Sequence, residues 1–239
     1  MKHSYQTFAY YYDQLIPRAF YFSYCSKITR YQQYSSIIDL GCGSGMLCAL
    51  LKNDNNSVTG IDLSEEMLMI AQQRNREARL GINYLYQNLE SLSLPKNEYD
   101  LITCTLDTLN YISNSSSFEH IIKEVSLALT AEGYFWFDVL TNHYFNEVVK
   151  DYYLAEDLKD FSYDWHVFLF DESIIKHDLS IISKDEVFNE VHFQYLYEEH
   201  FIDDLLKKYQ LVIVKKEYED NELNDKKPSR IYYQVKKEK

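Results

Sequence analysis

Three of the six glycines in the chain, Gly41, Gly43 and Gly45, fall within five residues. Residues 36–40, directly before them, are mostly apolar and predict a short buried strand, and residues 46–51 predict an apolar helix. Glycine accepts positive φ angles and lets a ligand approach the backbone without meeting a Cβ atom. A strand, a glycine-rich turn and a helix in this order indicate the start of a nucleotide-binding βα unit.

The second predicted strand, residues 57–61, leads into Asp62, which lies 21 residues after Gly41. At about this spacing, a carboxylate at the tip of the second strand accepts hydrogen bonds from the hydroxyls of a ribose. The dinucleotide fingerprint needs a small residue at position 46, where this chain has Met46. An NAD-dependent oxidoreductase is therefore the less favoured of the nucleotide-binding alternatives.

The segment Asp39-Leu-Gly41-Cys-Gly43-Ser-Gly45 resembles motif I of the class I S-adenosylmethionine (SAM)-dependent methyltransferases. The acid before the first glycine fits this cofactor, because SAM has no phosphate and carries an ammonium group that an acid helps to neutralise. The resemblance implies SAM as the cofactor. It implies cofactor contacts from Asp39, Gly41, Cys42, Gly43, Gly45, Asp62, Leu63, Asn88, Leu89 and Asp107.

Asn88 stands where the family usually has an acid beside the adenine. Its side-chain oxygen can still accept a hydrogen bond from the adenine amino group, and the alternative is an ordinary turn asparagine. Leu63, directly after the ribose acid, is expected to form an apolar wall for the adenine ring.

Asp107 belongs to a stretch, residues 106–111, that resembles a D-S-L-N-Y stretch in a bacterial small-molecule subgroup of the family. The N-terminal aromatic residues resemble the leading helix of that subgroup, in which Tyr12 would face the cofactor; packing against the core is the alternative. His143 follows the predicted fifth strand near the cleft. Asp107, Tyr12 and His143 are thus the candidate catalytic residues by position, and none is assigned as a base. The missing base favours methylation of nitrogen or of a readily ionised acceptor.

From residue 161 onward, apolar and polar residues alternate in three runs with short connectors, which predicts an antiparallel meander. In the resembling family, a small sheet inserted after strand five covers the substrate. The predicted fold is α/β, a Rossmann-like doubly wound and mostly parallel seven-stranded sheet with an inserted antiparallel β-sheet lid. We expect one methyltransferase domain (1–239), with an N-terminal helical cap (1–33), a SAM-binding core (34–140 and 198–237) and a substrate lid (145–197).

The composition narrows the possible partners. Lys and Arg total 24 against 37 Asp and Glu, a net charge of −13, and an acidic surface repels the phosphates of nucleic acids. Four scattered cysteines and seven histidines without i,i+4 pairs predict no disulfide framework and no metal site. The sequence lacks a signal peptide and an apolar run of about 20 residues, so we expect a cytoplasmic protein with no membrane partner.

The favoured function is methyl transfer from SAM to a nitrogen or oxygen of a small molecule by in-line displacement, in a monomer or homodimer. The alternative is a SAM-binding fold that transfers no methyl group and serves as an interaction module. Turnover with a panel of amines and phenols separates the two.

Overall fold

The computed structural model describes residues 11, 13, 15–30, 32–149, 151–159, 161–184, 187–219 and 228–238. Its strands are β1 (Ser36–Leu40), β2 (Ser57–Asp62), β3 (Asn83–Tyr86), β4 (Tyr99–Cys104), β5 (Leu129–Leu140), β6 (Asp151–Asp157), β7 (Phe161–Asp171), β8 (Ile174–Ser183), β9 (Val187–Tyr195), β10 (Leu211–Tyr218) and β11 (Arg230–Lys237). Its α-helices are α1 (Arg18–Thr29), α2 (Met46–Leu51), α3 (Glu65–Ala78), α4 (Ser115–Ala128) and α5 (Glu199–Lys208). Two 3₁₀ turns (Leu89–Ser91 and Thr108–Tyr111) and a π-helical turn (Tyr144–Val148) complete the elements described.

Seven strands form one sheet in the order β10-β11-β5-β4-β1-β2-β3. Strands β1 to β5 run parallel to one another, and β11 pairs antiparallel with both β5 and β10. This confirms the predicted mostly parallel, doubly wound sheet. The strand order reverses between β1 and β4, and a crevice opens beyond the carboxyl ends of strands at such a switch point.

Apolar cores lie on both faces of this sheet. On one face α4 and α5 bury residues such as Phe118 and Ile202, and on the other α1, α2 and α3 bury Tyr24, Leu47 and Leu68. No helix among the described residues is long and apolar enough to cross a membrane. The two layers hold β1, β2 and β4 rigidly, so that the loops after these strands meet at fixed positions.

Helix ends follow local capping chemistry. The Oγ of Ser64 accepts the N–H of Met67 at 3.1 Å, so Ser64 caps α3 as the sequence predicts. The sequence also predicts Gly81 as the residue that closes this helix, and the structure closes it earlier, at Arg79. Arg79 takes the left-handed conformation, with φ of 54°, and the N–H of Leu80 reaches the carbonyl of Asn75. This Schellman-type closure at Arg79 ends the helix at Ala78, three residues before Gly81.

The remaining four strands form an antiparallel sheet, the lid sheet, in the order β6-β7-β8-β9. Its three strands from residue 161 onward confirm the predicted meander. The edge strand β6 was not predicted, because three of its seven residues are acidic, nearly all are exposed, and its apolar side chains do not alternate with polar ones. On the inner surface, Phe161 and Tyr163 of β7 pack with Leu179 and Ile181 of β8.

Candidate functional site

A cavity of about 740 Å³ lies at the carboxyl ends of β1, β2 and β4. Its walls come from the glycine turn after β1, the tip of β2, the two 3₁₀ turns, helix α1 and the inner surface of β7, β8 and β9. The cavity therefore extends without interruption from the glycine turn to the underside of the lid sheet. A single cavity with two ends can hold two ligands side by side.

The three glycines of the turn all have positive φ, between 52° and 72°, but they serve different purposes. A Cβ atom on Gly45 would overlap the Tyr84 hydroxyl and lie 2.9 Å from Ala71 Cβ, so this glycine is required by packing. A Cβ atom on Gly43 would meet nothing within 4 Å, and Gly43 lines the cavity. The backbone at Gly43 thus offers open space in which a ligand can approach closely.

Asp62 joins the tip of β2 to the glycine turn. Its Oδ2 accepts the N–H of Gly43 at 2.7 Å, and its Oδ1 accepts the N–H of Ser64 at 2.9 Å. Burial raises the pKa of Asp62, and these backbone N–H groups oppose the shift. Each carboxylate oxygen retains a further lone pair, so Asp62 can accept two more hydrogen bonds from hydroxyl groups. The adjacent Leu63 is an apolar cavity wall that is 54% exposed.

Asp39 is a buried carboxyl group on the cavity wall. Its Oδ1 accepts the hydroxyl hydrogen of Thr103 at 2.6 Å, and its Oδ2 accepts the thiol hydrogen of Cys48 at 3.5 Å. Burial raises the pKa of Asp39 to about 7, although both hydrogen bonds oppose the shift. A cation placed beside this carboxyl group would favour its ionised form.

Asn88 and Leu89 follow β3 at the edge of the cavity. The Oδ1 of Asn88 accepts the N–H of Glu90 at 2.9 Å and so caps the first 3₁₀ turn. A second lone pair on this oxygen and the amide N–H groups provide further hydrogen-bonding capacity. The site therefore keeps a polar group beside the apolar surface of Leu63 and Leu89.

The loop after β4 is held by a buried ionic cluster. Leu106 and Asp107 both have left-handed backbones, with φ of 57° and 52°, a conformation that costs about 1–3 kcal/mol per residue. The buried carboxylate of Asp138 accepts both of their N–H groups, at 2.8 and 2.9 Å. Arg230 pairs with Asp138 and, at 2.7 Å, with Asp107. The cluster offsets the strain and fixes the Asp107 carboxylate at the cavity.

A chain of hydrogen bonds connects Asp107 to the lid sheet. The indole N–H of Trp165 donates to His177 Nδ1 at 3.3 Å, so the proton of a neutral imidazole sits on Nε2. His177 Nε2 lies 3.0 Å from Gln194 Oε1, and the Gln194 amide donates to Asp107 Oδ2. Burial lowers the pKa of His177 to about 4. His177 is therefore neutral near pH 7 and uses both of its nitrogens within the protein.

The structure brings together most residues that the sequence singles out. The cavity is lined by Asp39, Gly41, Cys42, Gly43, Asp62, Leu63, Asn88, Leu89 and Asp107. Gly45 lies behind the turn, against Tyr84. His143 is half-buried at the start of the π-helical turn and is not among the described residues that line the cavity. Tyr12 lies outside the described residues, and Phe20 and Tyr21 of α1 line the cavity.

Sequence reasoning missed several residues of this site. A signal existed for Asp138, since it is a single acid inside the apolar run of β5. His177, His192 and Gln194 also line the cavity, and the sequence carries no signal for them because polar residues of an alternating strand are expected on its solvent side. Arg230 has no local signal, because only the antiparallel insertion of β11 beside β5 brings it to Asp138.

The sheet is doubly wound, an acid precedes the glycine turn, and a cavity opens beneath the inserted lid sheet. These features define an α/β protein that binds a nucleoside at its switch point. A family model described as "Methyltransferase domain" matches residues 37–133. The "Putative methyltransferase YqeM" of Bacillus subtilis is 31% identical over 243 residues, which cover 98% of each chain.

Solved structures agree with this relationship. An S-adenosylmethionine-dependent methyltransferase from Clostridium acetobutylicum superposes with a TM-score of 0.82 at 29% identity, covering 98% of this chain and 99% of the other. The fold is shared by CalS10 of Micromonospora echinaspora, an amino pentose methyltransferase solved with SAM bound, with a TM-score of 0.67, 14% identity and coverage of 99% and 92%. The chain belongs to the class I SAM-dependent methyltransferases.

Proposed function

We propose that the protein transfers the methyl group of SAM to a small-molecule acceptor held beneath the lid sheet. The observation that carries this proposal is the continuity of the cavity between Gly43 and Asp62 at one end and Trp165 and His177 at the other. Its volume of about 740 Å³ falls in the range of small-molecule sites. The two ends correspond to a cofactor compartment and an acceptor compartment.

The cofactor compartment fits SAM in both shape and charge. Open space at Gly43 admits close approach to the backbone, Asp62 has lone pairs for the ribose hydroxyls, and buried Asp39 offers a carboxyl group for the ammonium. The proposed contacts to the adenine are the exposed apolar surface of Leu63 together with Asn88 and Leu89. The remaining proposed cofactor residues are Gly41, Cys42, Gly45 and Asp107, of which Gly45 shapes the turn from behind.

SAM supplies a methyl group on a sulfonium whose departure leaves a neutral thioether, so the leaving group needs no general acid. The protein's part is to align the acceptor and exclude water, and alignment contributes up to about 7–11 kcal/mol in favourable intramolecular reactions. Arg230 contacts one carboxylate oxygen of Asp107, and the Gln194 amide donates to the other. We therefore assign Asp107 a positioning role between the two compartments.

Methylation of nitrogen is favoured over methylation of oxygen. A hydroxyl acceptor usually needs a base. His177 uses both of its ring nitrogens within the protein, and the carboxylate of Asp107 is paired with the Arg230 guanidinium, which makes it a weaker base. The described relative CalS10 acts on an amino pentose, which agrees with this choice. The net charge of −13 further disfavours a nucleic acid acceptor.

Isotope transfer tests this function. The protein is incubated with SAM labelled in the methyl group and with a cell extract separated by ultrafiltration into small molecules and macromolecules. We expect label in the small-molecule fraction, at a rate at least tenfold lower with Asp62→Ala. Label that enters only the macromolecules, or wild-type protein that leaves SAM unchanged with both fractions, would contradict the proposal.

A further inference from the structure

Three helical residues that precede α1, namely Tyr11, Asp13 and Leu15, contact two different parts of the protein. Tyr11 and Leu15 are four residues apart and share one face of a helix, whereas Asp13 lies two residues from each, on the opposite face. Tyr11 and Leu15 pack on the lid sheet, against the cluster that contains Phe161. Asp13 contacts the glycine turn. These three residues are called the N-terminal segment below.

The contact with the glycine turn is made by polar groups that are largely withdrawn from solvent. The Oγ of Ser44 donates to Asp13 Oδ1 at 2.5 Å. Arg74 of α3 donates through one nitrogen to the Ser44 carbonyl oxygen and through another to Asp13 Oδ2. Ser44 is buried, and the side chains of Arg74 and Asp13 are 21% and 20% exposed. Because the planar guanidinium holds two acceptors at once, the three residues form a closed ring of hydrogen bonds.

This ring anchors the part of the turn that borders the cofactor compartment. Ser44 lies between Gly43 and Gly45, whose backbones both have positive φ. Gly43 lines the cavity and donates its N–H to Asp62. The glycines have no side chains that could hold this backbone, so its position depends on the anchors of Ser44 and on Asp62. A shift of Ser44 therefore moves the backbone that a ligand approaches.

The other face of the N-terminal segment contacts the lid sheet. The rings of Tyr11 and Phe161 have centroids 4.1 Å apart. Trp165 packs on the same cluster, and both Trp165 and Leu179 of that cluster line the cavity. Displacement of Asp13 would also move Tyr11, because the residues of one helical turn move together. The N-terminal segment thus connects the glycine turn to the lid sheet by direct contacts.

We propose that Asp13 and Arg74 are positioning residues that couple binding of the cofactor to the position of the lid sheet. SAM at the glycine turn fixes Ser44, Ser44 fixes Asp13, and the N-terminal segment then holds the lid sheet over the acceptor. The acceptor compartment is therefore complete only when the cofactor is bound. Such coupling is reciprocal, so an ordered lid sheet also tightens binding of the cofactor. This inference rests on the proposed function for the position of SAM at the glycine turn.

Trp165 can report on the lid sheet, because Trp136 is the second of the two tryptophans and lies buried in β5. The protein is labelled with fluorotryptophan, and its two fluorine NMR signals are assigned with Trp165→Phe. S-adenosylhomocysteine is then added to saturation. We expect it to shift the Trp165 signal of wild-type protein, and we expect Asp13→Asn to reduce this shift at least threefold. An unchanged Trp136 signal shows that the main sheet of the variant is intact.

Asp13→Asn keeps the size of the side chain and places an amide where Arg74 binds a carboxylate, so it weakens the ring without leaving a void. Asp54→Asn is the matched control, because it removes an exposed carboxylate. The Trp165 response of this control should equal that of wild type. No Trp165 shift in saturated wild-type protein, or an equal shift in Asp13→Asn, would overturn the inference.

Two further variants test the two faces of the N-terminal segment separately. Tyr11→Ala removes the contact with Phe161, so it should abolish the Trp165 response and weaken S-adenosylhomocysteine binding less than threefold. Arg74→Gln should weaken that binding at least fivefold, whereas Arg76→Gln, which removes an exposed guanidinium from the same helix, should leave it unchanged. A full Trp165 response in Tyr11→Ala would contradict the role of the segment.

The pairing is tested by combining two substitutions. Because Asp13 and Arg74 act as one unit, Asp13→Asn together with Arg74→Gln should weaken S-adenosylhomocysteine binding no more than Arg74→Gln alone. Losses of affinity that multiply in the double variant would refute the pairing. Failure of wild-type protein to bind S-adenosylhomocysteine would instead contradict the proposed function, and the inference would fall with it.

Discussion

Asp39 should release a proton when a cofactor ammonium group binds beside it. Burial holds its pKa at about 7 in the unliganded protein, so about nine-tenths of the Asp39 side chains carry a proton at pH 6 and about one-tenth at pH 8. A neighbouring cation lowers this pKa. Binding of S-adenosylhomocysteine, which keeps the ammonium, should then release close to one proton at pH 6 and close to none at pH 8.

The protonation of Asp39 should also change the affinity for S-adenosylhomocysteine. If only the ionised form of Asp39 binds well, the dissociation constant should be about tenfold higher at pH 6 than at pH 8 because of this group alone. Asp39→Asn removes the titration and keeps the shape and the hydrogen bond from Thr103. The variant should bind more weakly by about 1.5–3 kcal/mol at pH 8, as expected for loss of a charged hydrogen-bonded group.

Calorimetry in two buffers of different ionisation enthalpy measures the protons released. Groups other than Asp39 contribute equally to wild type and Asp39→Asn, so the difference between the two proteins isolates this residue. Equal proton release by the two proteins at pH 6 would refute the reasoning and would separate Asp39 from the cofactor ammonium.

Asp62→Ala should weaken S-adenosylhomocysteine binding by about 1.5–3 kcal/mol in calorimetry, and an unchanged dissociation constant would remove Asp62 from the site. Gly43→Ala should lower stability in denaturant melts by about 1 kcal/mol, from its φ of 52°, and lose more affinity than that. Gly45→Ala, with an added clash against Tyr84 and Ala71, should lower stability by more than Gly43→Ala does; equal melts would contradict this. Arg230→Met should destabilise the fold by about 3–5 kcal/mol, because it leaves Asp138 buried without its counter-charge. A smaller loss of stability would mean that other groups compensate the charge of Asp138.

The sequence was sufficient for the cofactor half of the molecule because its signals are local. The glycine turn, the following helix and Asp62 lie within 22 residues, and each has a backbone requirement that few residue types satisfy. The parallel sheet follows from the same units, since βαβ crossovers are right-handed and short. For these reasons β1 and β2 lie where the sequence predicts them, at Ser36–Leu40 and Ser57–Asp62.

The acceptor half was poorly predicted because its inner surface violates the usual pattern. In β9 the apolar residues Val187 and Val191 are exposed, whereas Glu190 and His192 are buried. Periodicity identifies two faces of a strand, and only the surroundings decide which face is covered. His192 and Gln194 line the cavity and have polar partners within the protein, and the local sequence carries no signal for these surroundings.

The position of Arg230 late in the chain has a consequence for biosynthesis. It meets Asp138 across 92 residues of sequence, so this contact forms only after β11 has left the ribosome and inserted between β5 and β10. Until then, a nascent chain carries two carboxylates at the end of the cavity without their cation, and the backbone of Leu106 and Asp107 lacks part of its support. The cavity is therefore completed only when β11 inserts into the sheet, late in synthesis. A ribosome-stalled chain that ends before β11 should form the glycine turn but should lack the finished cavity wall at Asp107.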